Sequence, residues 1–181
     1  IQAKEFQSYI KLYKEIEGAV IYDKVVQGEF IWEYAVSLSE NFNQVSFVNG
    51  IATSLGGRHL DYVCNQIIKK LSDLIESKKK INVKPSYIKE RLFLFVRATV
   101  VNPSFSNQSK DTLTTPVKDL GIKFEVSETF MTKLYKSGIV EDIISFTNYK
   151  NQKVLEKVTD GKKKNKISVP KLEDANFAGT A

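Results

Sequence analysis

Apolar residues change their spacing several times along this chain, and each change marks an element. Phe6, Tyr9, Ile10, Tyr13 and Ile16 recur at intervals of three or four and predict a short helix ending near Gly18. Residues 19–26 and 30–39 are rich in β-branched and aromatic side chains and flank Gln27-Gly28, the pattern of a β-hairpin. Residues 44–53 predict a third strand. Leu60, Val63, Ile67, Leu71, Leu74 and Ile75 then fall on one face of a helix that runs to about Ser77.

The second half begins with residues 88–101, where Leu92-Phe93-Leu94-Phe95-Val96 is the nearly continuous apolar run of a central strand. Pro103 ends it, because proline cannot donate to a sheet ladder. Residues 120–126 predict a further short strand. Ser127 with Glu128 caps a helix through about Lys136, and Gly138 stops it. Residues 139–158 predict a longer helix, and beyond Gly161 the pattern dissolves into a basic, polar tail. These elements add up to an α+β, two-layer domain: a mostly antiparallel sheet with helices on one face. The expected division is a helical lead-in (1–18), a central domain (19–158) and a basic linker (159–181).

Composition changes this picture little. The 181 residues are 42% hydrophobic and 27% charged, as in an ordinary globular domain able to bury a core. No apolar run approaches the ~20 residues that cross a bilayer, so no membrane partner is expected. The single cysteine, Cys64, excludes an internal disulfide framework. The chain opens on Ile1 with no signal-peptide pattern, so a piece of a longer protein is expected.

Charge adds a hint of a polyanionic partner. The net charge is +6, with lysines clustered at Lys78-Lys79-Lys80 with Lys84, and at Lys162-Lys163-Lys164 with Lys166. Such clusters attract nucleic-acid phosphates through counterion release without reading sequence. Charge alone favours the simpler reading, two solvated loops.

Catalysis by the chain alone is hard to build. His59 is the one histidine, and no Gly-x-Ser-x-Gly elbow accompanies it. One histidine and one cysteine do not make a structural zinc site. There is no Gly-x-x-x-x-Gly-Lys-[Ser/Thr] loop; Gly56-Gly57 reads as a tight turn into a helix, with Arg58, His59 and Asp61 organising its start. Lys110, at the end of the polar run Ser104-Phe105-Ser106-Asn107-Gln108-Ser109-Lys110, sits on a loop that Pro103 frees from the sheet. Its ammonium suits a terminal phosphate, and Gln108 adds an amide donor. An ordinary exposed lysine fits the same spacing.

Several ordered motifs separate these readings. Phe6-Gln7-Ser8-Tyr9, Trp32-Glu33, Ser46-Phe47-Val48-Asn49 with Ile51-Ala52-Thr53, and Gly56-Gly57-Arg58-His59 with Asp61-Tyr62-Val63 come first. Asn102-Pro103, Gln108-Ser109-Lys110 and Pro170-Lys171-Leu172-Glu173-Asp174-Ala175-Asn176 follow. In this order they resemble the transducer domain of eukaryotic type IIA DNA topoisomerases over essentially the whole chain. Departures are modest: Ser109 stands for the family's usual threonine, and Gly50 and Leu55 for a common serine and lysine.

The resemblance implies a four-stranded sheet of ribosomal-protein-like type with a left-handed βαβ crossover, an exception to the usual hand. It implies a place between a GHKL ATPase domain and a TOPRIM domain with its cleavage core, in a nuclear, homodimeric enzyme that uses ATP and Mg2+. Gln108 and Lys110 would face ATP, Lys78, Lys79 and Lys80 would contact double-stranded DNA, and no catalytic or metal-binding residue would lie here. The chain alone would be inactive, its role being to couple ATP binding and hydrolysis to gate closure and strand passage. Two other readings remain open: a basic nucleic-acid-binding domain, and the transducer of a mismatch-repair or chaperone ATPase.

Overall fold

In the computed structural model of the chain, residues 5–13 and 16–164 are described, with backbone only for Glu17 and residues 158–164. The Pro170 to Asn176 motif, Lys166 and the side chains of Lys162, Lys163 and Lys164 lie outside the described residues. The elements are α1 (Phe6–Ile10), β1 (Glu17–Gln27), β2 (Phe30–Leu38), β3 (Asn43–Val48) and β4 (Ile51–Ala52), followed by α2 (Arg58–Lys79), α3 (Pro85–Glu90), β5 (Leu92–Ala98), α4 (Glu128–Lys136) and α5 (Ile139–Lys164). The chain divides into two compact units after Thr147.

The five strands form one mixed sheet in the order β1-β2-β5-β3-β4. β1 and β2 form the expected hairpin, and β5 lies antiparallel to β2, with Tyr34 opposite Val96. β5 runs parallel to β3, pairing Ser46 with Val96, so the stretch containing α2 and α3 is the crossover between them. The four-stranded, mostly antiparallel expectation is therefore corrected: there are five strands, and one central pair is parallel.

Helices cover both faces, not one. On the first face Trp32, Tyr34, Val36, Leu92, Leu94 and Val96 meet the apolar side of α2 together with Phe130, Met131 and Leu134 of α4 and Ile139, Val140 and Ile143 of α5. On the second, Phe6 and Ile10 of α1 pack on Ala35, Phe93 and Phe95. The Leu92 to Val96 run explains this. Its side chains alternate between faces and all five are buried, which requires cover on both sides. The first helix is shorter than expected, ending at Ile10, and β1 begins at Glu17.

The third predicted strand is broken by a turn at Asn49-Gly50, with φ of 50° and 81°, the two left-handed positions of a tight hairpin. The chain folds back as β4, pairing Val48 with Ile51. The stretch 88–101 divides into the end of α3, started by Pro85, and the shorter β5.

Residues 120–126 form no strand: Leu120 closes a helical turn and Gly121 has φ of 80°. Leu120, Ile122, Phe124 and Val126 are buried with the period of a strand. Their backbone groups, however, are satisfied by side chains of α2. Tyr62 Oη donates to Phe124 O at 2.6 Å and accepts from Phe124 N. Gln66 accepts from Val126 N at 3.0 Å, and Lys70 Nζ donates to Val126 O at 2.7 Å. Ser127 then caps α4 as expected, its Oγ accepting from Phe130 N at 3.1 Å.

Candidate functional site

The polar run after β5 folds into a narrow excursion whose tip carries Gln108 and Lys110. Asn49, at the β3–β4 turn, holds its root: its side-chain amide donates to Val100 O at 2.8 Å, and its Oδ1 accepts from Val100 N at 2.9 Å. Phe105 and Leu113 then pair antiparallel, supported by Thr114 N to Ser104 O at 2.8 Å and Ser106 N to Thr112 O at 3.1 Å. Residues 107–111 close the tip. Lys110 N donates to Asn107 O, and Lys110 itself has φ of 61°, a left-handed conformation uncommon outside glycine.

Asp111 fixes this tip. Its carboxylate accepts from Asn107 Nδ2 at 3.0 Å, from Ser54 Oγ at 3.0 Å and from Ser109 Oγ, while its N–H donates to Asn107 Oδ1. Hydrogen bonds from Ser109, Ser54 and Asn107 hold its pKa below the usual carboxylate value. Asp111 O also accepts from Leu55 N at 3.0 Å, so side chain and backbone both tie the tip to the 54–57 turn. Gln108 and Lys110 take no part in the bonds to the Asp111 carboxylate, and both side chains are exposed. Among the described residues, Lys110 makes no ion pair and the Gln108 amide no hydrogen bond. The Lys110 ammonium lies 5.8 Å from the centre of the Phe105 ring.

The clamp continues into the start of α2. Leu113 N donates to Gly56 O at 3.1 Å, and Arg58 N donates to Leu113 O at 3.0 Å. A Cβ on Gly57 would stand 2.4 Å from Leu113 O, and φ there is 133°. Glycine is thus required by close backbone approach, and no side chain caps the helix at Gly57. His59 is fully buried behind the turn, its Nε2 3.3 Å from Thr53 Oγ1, which bonds Ser46 Oγ at 2.7 Å. Desolvation lowers its pKa to about 4, so the ring is neutral at neutral pH. Asp61, in the first turn, favours the positive end of the helix dipole. Among the described residues no three His, Cys, Asp or Glu side chains cluster as metal ligands.

The second predicted site lies elsewhere. Lys78 and Lys79 are the last residues of α2, and Lys80 is its left-handed C-cap, with φ of 59°. The lysines therefore belong to a helix end and not to the loop expected from sequence. All three are exposed, and Lys78 Nζ sits 4.4 Å over the Tyr135 ring. At 1.5 Å per residue, α2 separates them from the Lys110 tip by about 30 Å.

A family model described as DNA gyrase B matches residues 3–163. The chain belongs to that family of type II DNA topoisomerases. It is 39% identical to DNA topoisomerase 2 of Bombyx mori over 99% of its own length and 12% of that protein's. It is 36% identical to DNA topoisomerase 2 of Saccharomyces cerevisiae, over 99% of this chain and 14% of the other. Among solved structures it resembles the ATPase region of Saccharomyces cerevisiae topoisomerase II, with a TM-score of 0.68 and 34% identity over 78% of this chain and 36% of that one. The ATPase and transducer domains of DNA topoisomerase II from Balamuthia mandrillaris give a TM-score of 0.71 and 31% identity, over 81% and 37% respectively. The chain spans about one-eighth of the length of the curated relatives it matches.

Within this family member the sequence pointed to Gln108 and Lys110, which the fold places on one exposed tip, but not to Asp111. An aspartate one position beyond the lysine looks like any loop acid. Its three side-chain donors come from residues 54, 107 and 109, and the first of these is brought close only by the fold.

Proposed function

We propose that the chain is the transducer domain of an ATP-dependent type II DNA topoisomerase, and that Lys110 is its nucleotide-facing residue. The observation that carries this reading is the Asp111 clamp. It fixes the backbone that carries an exposed, ion-pair-free ammonium beside the start of α2. A point charge with three donors, held ahead of time, suits the terminal phosphate of ATP bound by an adjacent ATPase domain. Gln108 supplies a neutral donor on the same tip.

In this reading Mg2+ and the nucleotide are held by the ATPase domain, and the chain contributes only the tip. A shift of Lys110 toward the phosphate pulls on Asp111 and Leu113, and through them on the Ser54 to Gly57 turn and α2. The helix is a rigid lever whose far end carries Lys78, Lys79 and Lys80 toward double-stranded DNA. Coupling of this kind serves gate closure and strand passage in a nuclear homodimer, with the cleavage core and its TOPRIM domain following in the same chain.

The test is Lys110→Ala in the full-length protein. ATP hydrolysis is expected to fall at least about tenfold, because a charge partner is lost where charge redistributes. Unfolding of the variant should stay within about 0.5 kcal/mol of wild type, as for other exposed substitutions. A wild-type ATPase rate would contradict the assignment.

A further inference from the structure

α4 runs alongside α2 in the same direction. At its start, Lys70 Nζ of α2 donates to Glu128 Oε1 at 2.8 Å and to Val126 O at 2.7 Å. Near its end, Lys78 Nζ of α2 sits 4.4 Å over the centre of the Tyr135 ring. The step from Lys70 to Lys78 on α2 matches the step from Glu128 to Tyr135 on α4. The helices are therefore parallel, and their last turns lie side by side.

Parallel packing puts two carbonyl-bearing helix ends together, each equivalent to about half a negative charge. Lys78 and Lys79 occupy the last turn of α2, and Lys133 and Lys136 that of α4. With Lys80 this makes five lysines, all exposed, against Glu76 in the last turn of α2 and Glu141 in the first turn of α5, which follows α4. Compensating two half-charges takes about one cation, so a surplus of positive charge is left at this end of the domain. Helix axes pack about 8–10 Å apart. Long lysine stems on two adjacent helix ends can therefore reach separate phosphates of one duplex.

We propose that Lys133 and Lys136 of α4 join Lys78, Lys79 and Lys80 in one two-helix surface that binds the phosphates of duplex DNA. The proposal rests on the reading that the α2 lysines face DNA, and extends that contact to a second helix. Tyr135 belongs to the surface as the platform that holds the Lys78 stem.

The experiment compares the full 181-residue chain with Lys133→Gln/Lys136→Gln and with Lys78→Gln/Lys79→Gln/Lys80→Gln. Binding of a 30-bp duplex is followed by fluorescence anisotropy between 50 and 200 mM NaCl, and urea unfolding is measured on the same samples. Each phosphate contact contributes about 0.9 to the slope of log Kobs against log salt, so the α4 double variant should lose about 1.8. Its affinity loss across that salt range should shrink about twelvefold relative to wild type, with the unfolding midpoint unchanged. An unchanged slope in the double variant, beside a loss of about 2.7 in the α2 triple variant, would overturn the α4 contact and leave the α2 reading standing. Unchanged slopes in both, or no duplex binding by wild type, would overturn both readings. Lower stability of the double variant with an unchanged slope would assign Lys133 and Lys136 to dipole compensation and overturn the proposal. Equal competition by poly-glutamate would overturn the choice of duplex DNA.

Discussion

At the N-terminal end of α2 one lysine is held in place by a dense set of bonds; at the C-terminal end several lysines are scarcely held at all. Lys110 sits on a tip clamped through Asp111 to Ser54, Asn107 and Ser109, and through Leu113 to Gly56 and Arg58. Of the α2 lysines, Lys78 rests on one aromatic ring, and Lys79 and Lys80 make no ion pair among the described residues. In the proposed reading, the difference matches two kinds of anion. A single terminal phosphate at a fixed position rewards a preorganised charge. A repeating polyanion is met by any of several mobile cations, since neighbouring phosphates are equivalent.

The comparison breaks most severely at Gly57. Gly57→Ala places a methyl group 2.4 Å from Leu113 O in a backbone conformation that L residues avoid. The expected cost is about 3 kcal/mol or more, read by urea unfolding, with release of the tip from the start of α2. A loss below about 1 kcal/mol would mean that the turn and Leu113 separate easily, so that the N-terminal end is no better fixed than the lysine end.

Acid sharpens the contrast next. His59 is buried and neutral, with a pKa near 4 against an ordinary 6.5. The unfolded chain therefore binds a proton that the folded chain refuses, and the neutral ring contributes stability that is complete above pH 6.5. That contribution falls as pH drops and is gone near pH 4, a loss of about 3 kcal/mol. Wild type should thus lose about that much more stability than His59→Gln between pH 7 and pH 4. Parallel pH profiles for the two proteins would show that His59 is not the buried, neutral group behind the turn.

Much of the fold was legible in the sequence, for a physical reason. The β1–β2 hairpin, the apolar face of α2, the Leu92 to Val96 core strand and the Ser127 cap are local patterns whose period or chemistry admits one structure. The misreadings occurred where distant groups decide. Residues 120–126 have the period of a strand, but Tyr62, Gln66 and Lys70 satisfy their backbone in place of a neighbouring strand. Asn49-Gly50 was a readable turn signal hidden inside an apolar stretch. At the site, Gln108 and Lys110 were visible as residue types on a freed loop. Asp111 was not, because its role depends on Ser54, a residue far away in sequence. The helical setting of Lys78 and Lys79 was hidden for the opposite reason, since a lysine run reads as loop whatever its backbone does.

The central claim is that Asp111 acts through Lys110, and a double-mutant cycle tests it most directly. ATP hydrolysis would be measured in the full-length protein for wild type, Asp111→Asn, Lys110→Ala and the pair combined. Asparagine at 111 turns an amide toward the Ser109 and Asn107 donors, and the displaced tip should slow hydrolysis about tenfold. If the clamp serves the lysine, the double variant should be no slower than Lys110→Ala alone, because nothing remains to be positioned. Multiplicative losses in the double variant, or a wild-type rate for Asp111→Asn, would contradict the account.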